Sequence, residues 1–536
     1  MKYSLLLAVF ILASCTSSET KVEEIAPPDA EKDPYELTNL GETRVDDYYW
    51  MRLSEDQRNA SEPDAQTTKV INYLTEENMY REEIMGEQLA LEDELYEEMV
   101  SRVKQDDSSV PYSKNGYTYY TRFEEGFDYP VYLRKKDGDD EASEEILINA
   151  NEMGKDYSFF QVRSLSVSPD NKWLAYAIDT VGRRKFVGMF KNLETGEVLD
   201  ERLPLFASGD WAADSKTFLY TRIDNETLRP YELFVHKLGE PAAEDMLKFT
   251  EPDDTYGLWL QKSKSGEYFF LNAGKSGSND VKFLSTATPE LEFTTFYPRT
   301  QGVEYQIDHF GDDFYILTNE EAVNFRLMKT PVDAVSPEHW TTVIQHRDDV
   351  LIEGIELFTT HLVLSERMDG LKKLRVMNMK DGSEHYVDFE EEAYVVYIGN
   401  NPEFETDVLR VQYTSMTTPW TVYDYNMNTR EREMRKQDEV LGGFDPDDYE
   451  TQRIWATARD GVQVPISIVY KKGLERNGEN PLLLYGYGSY GLSTEPWFDA
   501  KRLSLLDRGW VWANAHIRGG SEMGRQWYDD GKMFKK

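Results

Sequence analysis

The sequence predicts a β-propeller joined to an α/β sheet, and three patterns among its 536 residues predict it. Between about Pro111 and Asn428, clusters of Tyr, Phe, Val and Ile closed by Asp, Gly or Asn turns recur as one repeated unit. Further on, Pro481-Leu482-Leu483-Leu484-Tyr485 is a short apolar burst, the mark of a strand buried on both faces of a parallel sheet. That strand opens into Gly486-Tyr487-Gly488-Ser489-Tyr490-Gly491, and a second, Trp510 to Ala515, opens into a glycine-rich run ending at Arg525. Two strands that each feed a glycine-rich loop suggest a doubly wound sheet, whose ligands sit at the carboxyl ends of its strands.

At the start of the chain Lys2 precedes the apolar run Leu5 to Ala13, followed by Ser14-Cys15. The run is far below the ~20 residues that span a bilayer and fits a secretory h-region. Leu12-Ala13-Ser14-Cys15 resembles a bacterial lipobox, so residues 1–15 are expected to be a lipoprotein signal with Cys15 acylated; an ordinary signal peptide is the alternative. Cys15 is the only cysteine, which excludes an intrachain disulfide. The resulting expectation is an exported protein anchored to a bacterial membrane by lipid, with 16–33, polar and acidic, as a flexible tether. From 34 to 104 the spacing of Val70, Ile71, Leu74 and Asn78, then Leu89, Leu91, Leu95 and Met99, predicts helices, with Glu92-Asp93-Glu94 on a solvated face.

In the region 105–446 the repeat is clearest at Ser166-Val167-Ser168-Pro169-Asp170, then Trp173 to Ala177 and Phe186 to Phe190, closing at Glu194-Thr195-Gly196. Comparable units centre near Tyr119, Leu219, Phe269, Tyr315, Val363 and Val411, about seven in all at the ~40–50-residue period of propeller blades. Paired β-sandwiches fit less well, because one period persists throughout. From 447 to 536 the pattern becomes α/β; Arg453 to Ala458 and Val464 to Tyr470 read as a hairpin about Asp460-Gly461.

The strings LLLYGYGSYG, RLSLLDRGWVWANAHIRGGSEMGRQWYDDGK and ATARDGVQVPISIVY resemble the oligopeptidase B branch of the prolyl oligopeptidase family of serine peptidases, as do Pro34 to Leu37 and Arg44 to Met51. The resemblance implies a seven-bladed β-propeller inserted into an α/β-hydrolase domain and filtering peptides by size. It also implies hydrolysis after Arg or Lys, with no cofactor. An α/β-hydrolase needs a Gly-x-Ser-x-Gly elbow followed by an acid and a histidine. No Gly-x-Ser-x-Gly occurs in the sequence, and in the family all three lie beyond the matching point. The expectation is therefore a hydrolase truncated before its nucleophile and inactive by itself.

The resemblance also assigns roles. Tyr487 matches the family's tyrosine that donates its hydroxyl to the oxyanion, against packing under the sheet edge. Tyr490 matches an aromatic wall of the S1 pocket. Glu495 stands where the family has the first of two aspartates that help bind a second basic residue; Trp497 replaces the other, which weakens a dibasic preference. Glu495 is thus a ligand or a surface carboxylate. Arg518 and the loop Gly519 to Gly524 are expected to brace the site, since a guanidinium fork ties several carbonyls or carboxylates together. His516 precedes any nucleophile, whereas the triad places histidine last, so it is not the base. The other six histidines lack metal-ligand spacing.

A net charge of −40, from 99 acidic against 59 basic residues, argues against nucleic-acid binding and favours cationic peptides, though a solvated exported surface needs no substrate. Two other readings stand beside the basic-specific oligopeptidase. One is a prolyl oligopeptidase cleaving after Pro, disfavoured by the Gly-Ser-Tyr-Gly end of the turn. The other is a non-catalytic propeller lipoprotein that binds peptides or partners.

Overall fold

The computed structural model describes residues 26–535, so Cys15 and the apolar run before it lie outside the described residues. The chain divides into two compact units, one ending at Glu97 and the other starting at Glu98.

In the first unit Tyr35–Asn39 and Glu42–Asp46 pair as an antiparallel hairpin, where helix was expected from residue 34 onward. Leu40 and Gly41 lie at φ 53° and 82°. Two left-handed residues in a two-residue loop match the twist of the flanking strands, so the turn decides against helix. Helix begins later, at Ala65–Met85, capped by Asp64, whose carboxylate accepts from the Thr67 N–H at 2.7 Å. Of the residues noted at helical spacing there, only Val70 is buried. Trp50 anchors this helix: Gln66 donates to its carbonyl at 2.8 Å, and the Lys69 ammonium lies 4.4 Å over its ring.

In the second unit seven blades follow in chain order, at 112–149, 161–192, 203–250, 257–295, 305–344, 350–386 and 394–437. Blades 1 and 4 to 7 are separate four-stranded antiparallel sheets. Blades 2 and 3 run into one seven-stranded sheet, because Leu203 and Phe206 pair with Gly188 and Phe186. Trp173 to Ala177 and the six unit centres Tyr119, Leu219, Phe269, Tyr315, Val363 and Val411 all fall on the second strand of a blade. Such a strand has a neighbouring blade on each face, and side chains alternate between faces. In blade 5, Phe314 and Ile316 pack with Phe270 and Phe296 of blade 4, while Tyr315 and Leu317 pack with Leu362 and Leu364 of blade 6. First strands alternate differently: Leu258 and Leu260 are buried, whereas Trp259 and Gln261 are exposed. No strand is shared between blades 7 and 1. Side chains close that seam: Arg410 donates to the Pro111 carbonyl at 2.5 Å, and the Lys436 ammonium reaches Asp107 at 2.5 Å and the Ser108 carbonyl at 2.7 Å.

The last sheet has strand order Tyr449–Thr457, Gln463–Lys471, Val511–Ala515, Leu482–Tyr485. The first two form the expected hairpin, with Gly461 at φ 88° in its loop. Leu482–Tyr485 pairs in parallel with Val511–Ala515, but it is not buried on both faces as its composition predicted. Leu482 is 53% and Leu484 60% exposed, because the strand stands at the sheet edge with nothing packed over it among the described residues. On its other side the sheet meets blade 7, where Met416 packs with Val469, Phe498, Leu503 and Leu506.

Candidate active site

The glycines after the two sheet strands are fixed by a crossing of backbones. A Cβ on Gly519, which sits at φ 97°, would fall on the Gly488 carbonyl oxygen, and one on Gly531 would fall on the Gly519 nitrogen. The Gly491 N–H donates to the Gly519 carbonyl at 2.9 Å, and the Gly519 N–H to the Trp527 carbonyl at 3.0 Å. No larger residue lets these segments approach so closely. The crossing locks the turn 486–491 at the carboxyl end of its strand, so that both tyrosines point outward.

Tyr487 is 42% exposed, and its hydroxyl has no hydrogen-bond partner among the described residues. Tyr490 is 74% exposed at φ 58°. It lines a cavity of about 880 Å³ whose opposite wall is Ser276, Gly302 and Asn319 of the propeller. The structure therefore brings Tyr490 to a cleft between propeller and sheet and leaves the Tyr487 hydroxyl unengaged.

Glu495 is neither a surface carboxylate nor a free one. It is buried in a close ion pair with Arg367 of blade 6, a residue only 2% exposed that Glu353 also holds at 2.7 Å. Burial alone would lower the Arg367 pKa, but Glu353 and Glu495 outweigh it and raise it. A cationic side chain that sought Glu495 would have to displace this guanidinium. Sequence reasoning missed Arg367 because it lies 128 positions away, on a strand whose register marks it only as one more blade residue.

Arg518 pairs with a residue not foreseen: its guanidinium meets the Asp460 carboxylate of the hairpin loop at 2.6 Å. His516 is 3% exposed; its Nδ1 donates to the Thr494 carbonyl at 2.9 Å, and its Nε2 lies 2.8 Å from the Ser467 hydroxyl. Burial pushes its pKa down to about 4, so it is a neutral core imidazole with both nitrogens engaged. Glu522 is 1% exposed and accepts from the Thr494 N–H at 2.8 Å through Oε1, while Oε2 has no partner among the described residues. Burial raises its pKa. A second missed contact is Arg525, whose guanidinium pairs closely with Glu304 and whose N–H donates to Asn324 at 2.9 Å.

Chemically, the arrangement carries the Tyr487 hydroxyl on the same turn whose Gly488, Ser489 and Tyr490 line a peptide-sized cleft. Among the described residues no group of three or more His, Cys, Asp or Glu is placed to hold a metal ion, and no helix is long and apolar enough to cross a membrane.

Comparison with known proteins follows the same lines. The family described as "Prolyl oligopeptidase, N-terminal beta-propeller domain" matches residues 27–438. Dipeptidyl aminopeptidase BI of Pseudoxanthomonas mexicana is 42% identical over 551 residues, covering 99% of this chain and 75% of that protein. Protease 2 of Moraxella lacunata is 34% identical, covering 95% and 72%. Oligopeptidase B from Leishmania major superposes with a TM-score of 0.88 at 30% identity, covering 96% of this chain and 74% of that structure.

Proposed function

This chain belongs to the prolyl oligopeptidase family, and from that premise we propose that it forms the propeller and first hydrolase strands of a serine oligopeptidase cutting short peptides after Arg or Lys. The observation that carries the reading is the Tyr487 hydroxyl, unengaged among the described residues and held on a locked turn at the end of a parallel strand. Acyl transfer builds negative charge on the carbonyl oxygen, and a preorganised donor there is worth ~2.7–4 kcal/mol. Tyr487 is that donor and Tyr490 a pocket wall. Arg518 positions the loop through Asp460, and Glu495 shapes the floor through Arg367. No Gly-x-Ser-x-Gly elbow for a nucleophilic serine occurs within these 536 residues, so by themselves they should not turn over substrate.

The test uses a chain that includes the elbow serine. Tyr487→Phe keeps the ring and removes the donor, so kcat should fall ~10²–10³-fold with KM nearly unchanged. Tyr490→Phe is the control, because a wall needs the ring only. If both variants keep kcat within a few-fold of wild type, the oxyanion assignment is wrong. Arg, Lys and Pro amides compared by kcat/KM decide between basic and prolyl specificity.

A second reading, release of dipeptides from a free amino terminus, is favoured by the 42% identity to a protein named dipeptidyl aminopeptidase. Substrate acetylated at its amino terminus separates the two: an endopeptidase cleaves it, and a dipeptidyl aminopeptidase does not. We further propose lipidation at Cys15 and export to a bacterial membrane; Cys15→Ala should release the protein from the membrane fraction, and unchanged association would refute the anchor.

A further inference from the structure

On the first strands of blades 4 and 5, one face holds side chains with no structural employment. Trp259 is 41% exposed between buried Leu258 and Leu260. Its indole N–H and the side-chain amides of Gln261 and Gln306 have no hydrogen-bond partner among the described residues. These three residues line one cavity of about 610 Å³. The indole is held from behind: a Cβ on Gly274 would lie 2.7 Å from Trp259 Cη2, so the ring rests against bare backbone. The charged groups in the cavity wall are already engaged. Lys262 pairs with Asp210 at 3.2 Å, Glu304 with Arg525, the Lys275 ammonium sits 4.6 Å over the Tyr256 ring, and Asp308 accepts from the backbone N–H groups of Lys264 at 3.0 Å and His309 at 2.8 Å. What remains for a ligand is an aromatic platform and two neutral amides. Such a lining favours uncharged side chains and peptide groups over ions, whose desolvation it would not repay.

The cavity does not end there. Gln306, Leu317 and Phe325 also line a second cavity of about 380 Å³, which reaches Gly491 and Glu495 beside the glycine turn. The two cavities thus meet at Gln306, Leu317 and Phe325, and the second reaches the turn that carries Tyr487 and Tyr490.

We propose that the cavity lined by Trp259 is a distal peptide subsite. An aromatic or large apolar side chain, several residues from the bond to be cut, stacks on Trp259, while Gln261 and Gln306 pair with the peptide backbone. This inference rests on the oligopeptidase reading and adds a substrate preference to it: peptides carrying an aromatic residue remote from a basic one.

The test is calorimetric titration of the 536-residue chain with two hexapeptides, Gly-Gly-Phe-Gly-Gly-Arg and Gly-Gly-Ala-Gly-Gly-Arg. The phenylalanine peptide should bind ~10-fold more tightly, the size expected for one buried aromatic contact. Trp259→Ala should erase that difference, and Gly274→Ala, which displaces the indole without removing it, should reduce it. Trp259 is exposed, so its loss should leave the fold intact, checked by an unchanged Tm. If both peptides bind equally, or if Trp259→Ala leaves their ratio unchanged, the subsite is refuted while the oligopeptidase reading stands. If neither peptide binds, the subsite is refuted as well, and the oligopeptidase reading is decided separately by turnover of Arg and Lys amides in a chain that includes the elbow serine. Maltohexaose binding that depends on Trp259, with peptides indifferent to it, would refute the proposal in favour of a glycan site.

Discussion

The propeller and the sheet after it solve the same problem, burying β-strands, in opposite ways. In blades 2 to 6 each central strand lies between two blades, so both of its faces are covered by neighbours one repeat away in sequence, as Phe314 to Leu317 are. In the last sheet burial depends on strands paired out of chain order, and among the described residues the apolar strand Leu482–Tyr485 stands exposed at the edge. A repeat carries its own cover, whereas a crossover sheet borrows it from a distance. Phe314→Ala should break the propeller side of this contrast most heavily. The ring is fully buried among Phe270, Phe283 and Phe296, and its loss should cost ~3–5 kcal/mol. Urea denaturation should show that cost; a change below 1 kcal/mol would mean the blade interface is not the tightly packed one described.

The second test falls where the two regions meet. Arg367→Met leaves Glu495 buried without its cation, and breaking a buried pair from one side costs ~3–5 kcal/mol. Glu495→Gln should cost distinctly less, because Arg367 keeps Glu353 at 2.7 Å. Equal costs for the two variants would show that Arg367 does not bridge the regions asymmetrically.

How much of this was legible in the sequence follows from the same contrast. The six unit centres and Trp173 to Ala177 landed on second strands because their apolar runs answer to nearby blades. The hairpin about Asp460-Gly461 was equally local. The sequence could not show that Gly488 and Gly519 are required by each other, since their crossing joins loops from two strands. Nor could it show that Glu495 is occupied, because Arg367 carries no motif. Tyr35–Asp46 was misread because the helical spacing from Val70 onward was extended back to residue 34, over a Leu40-Gly41 turn that only its φ values make plain.

Two histidines should titrate the regions in opposite directions. In the propeller, His236 is buried with Nδ1 2.7 Å from Asp245 and Nε2 2.9 Å from Glu201. Burial alone would lower its pKa, but Asp245 and then Glu201 outweigh burial and raise it above the usual 6.5. A raised histidine contributes stability that is full below pH 6.5 and is lost as pH rises through its folded pKa. His516 in the sheet is pushed down to about 4 by burial, so its contribution is full above pH 6.5 and is lost as pH falls toward 4, about 3 kcal/mol in all. Hydrogen exchange at pH 7 and pH 5 should therefore show the strands Gln463–Lys471 and Val511–Ala515 weakening at the acid end, while Thr217–Ile223 and Pro230–Lys237 do not. Uniform weakening of both regions would overturn the opposition.

The smallest effect discriminates most sharply between sequence and structure. Read from composition, Leu484 sits in a strand covered on both faces, and Leu484→Ala should then cost the ~2–5 kcal/mol of a core leucine. In the structure Leu484 is 60% exposed on the edge strand, so it has little apolar contact to lose. Its backbone pairing with Ala513 survives the substitution, because alanine keeps the amide and the extended conformation. The expected cost is therefore within about 0.5 kcal/mol, the range of surface substitutions. Leu317→Ala supplies the scale, since that leucine is 2% exposed and packs toward blade 6. Urea midpoints of the two variants should differ by several-fold in ΔΔG. If Leu484→Ala is as costly as Leu317→Ala, the edge is covered in solution by something that packs on this strand, and the contrast between the two regions fails.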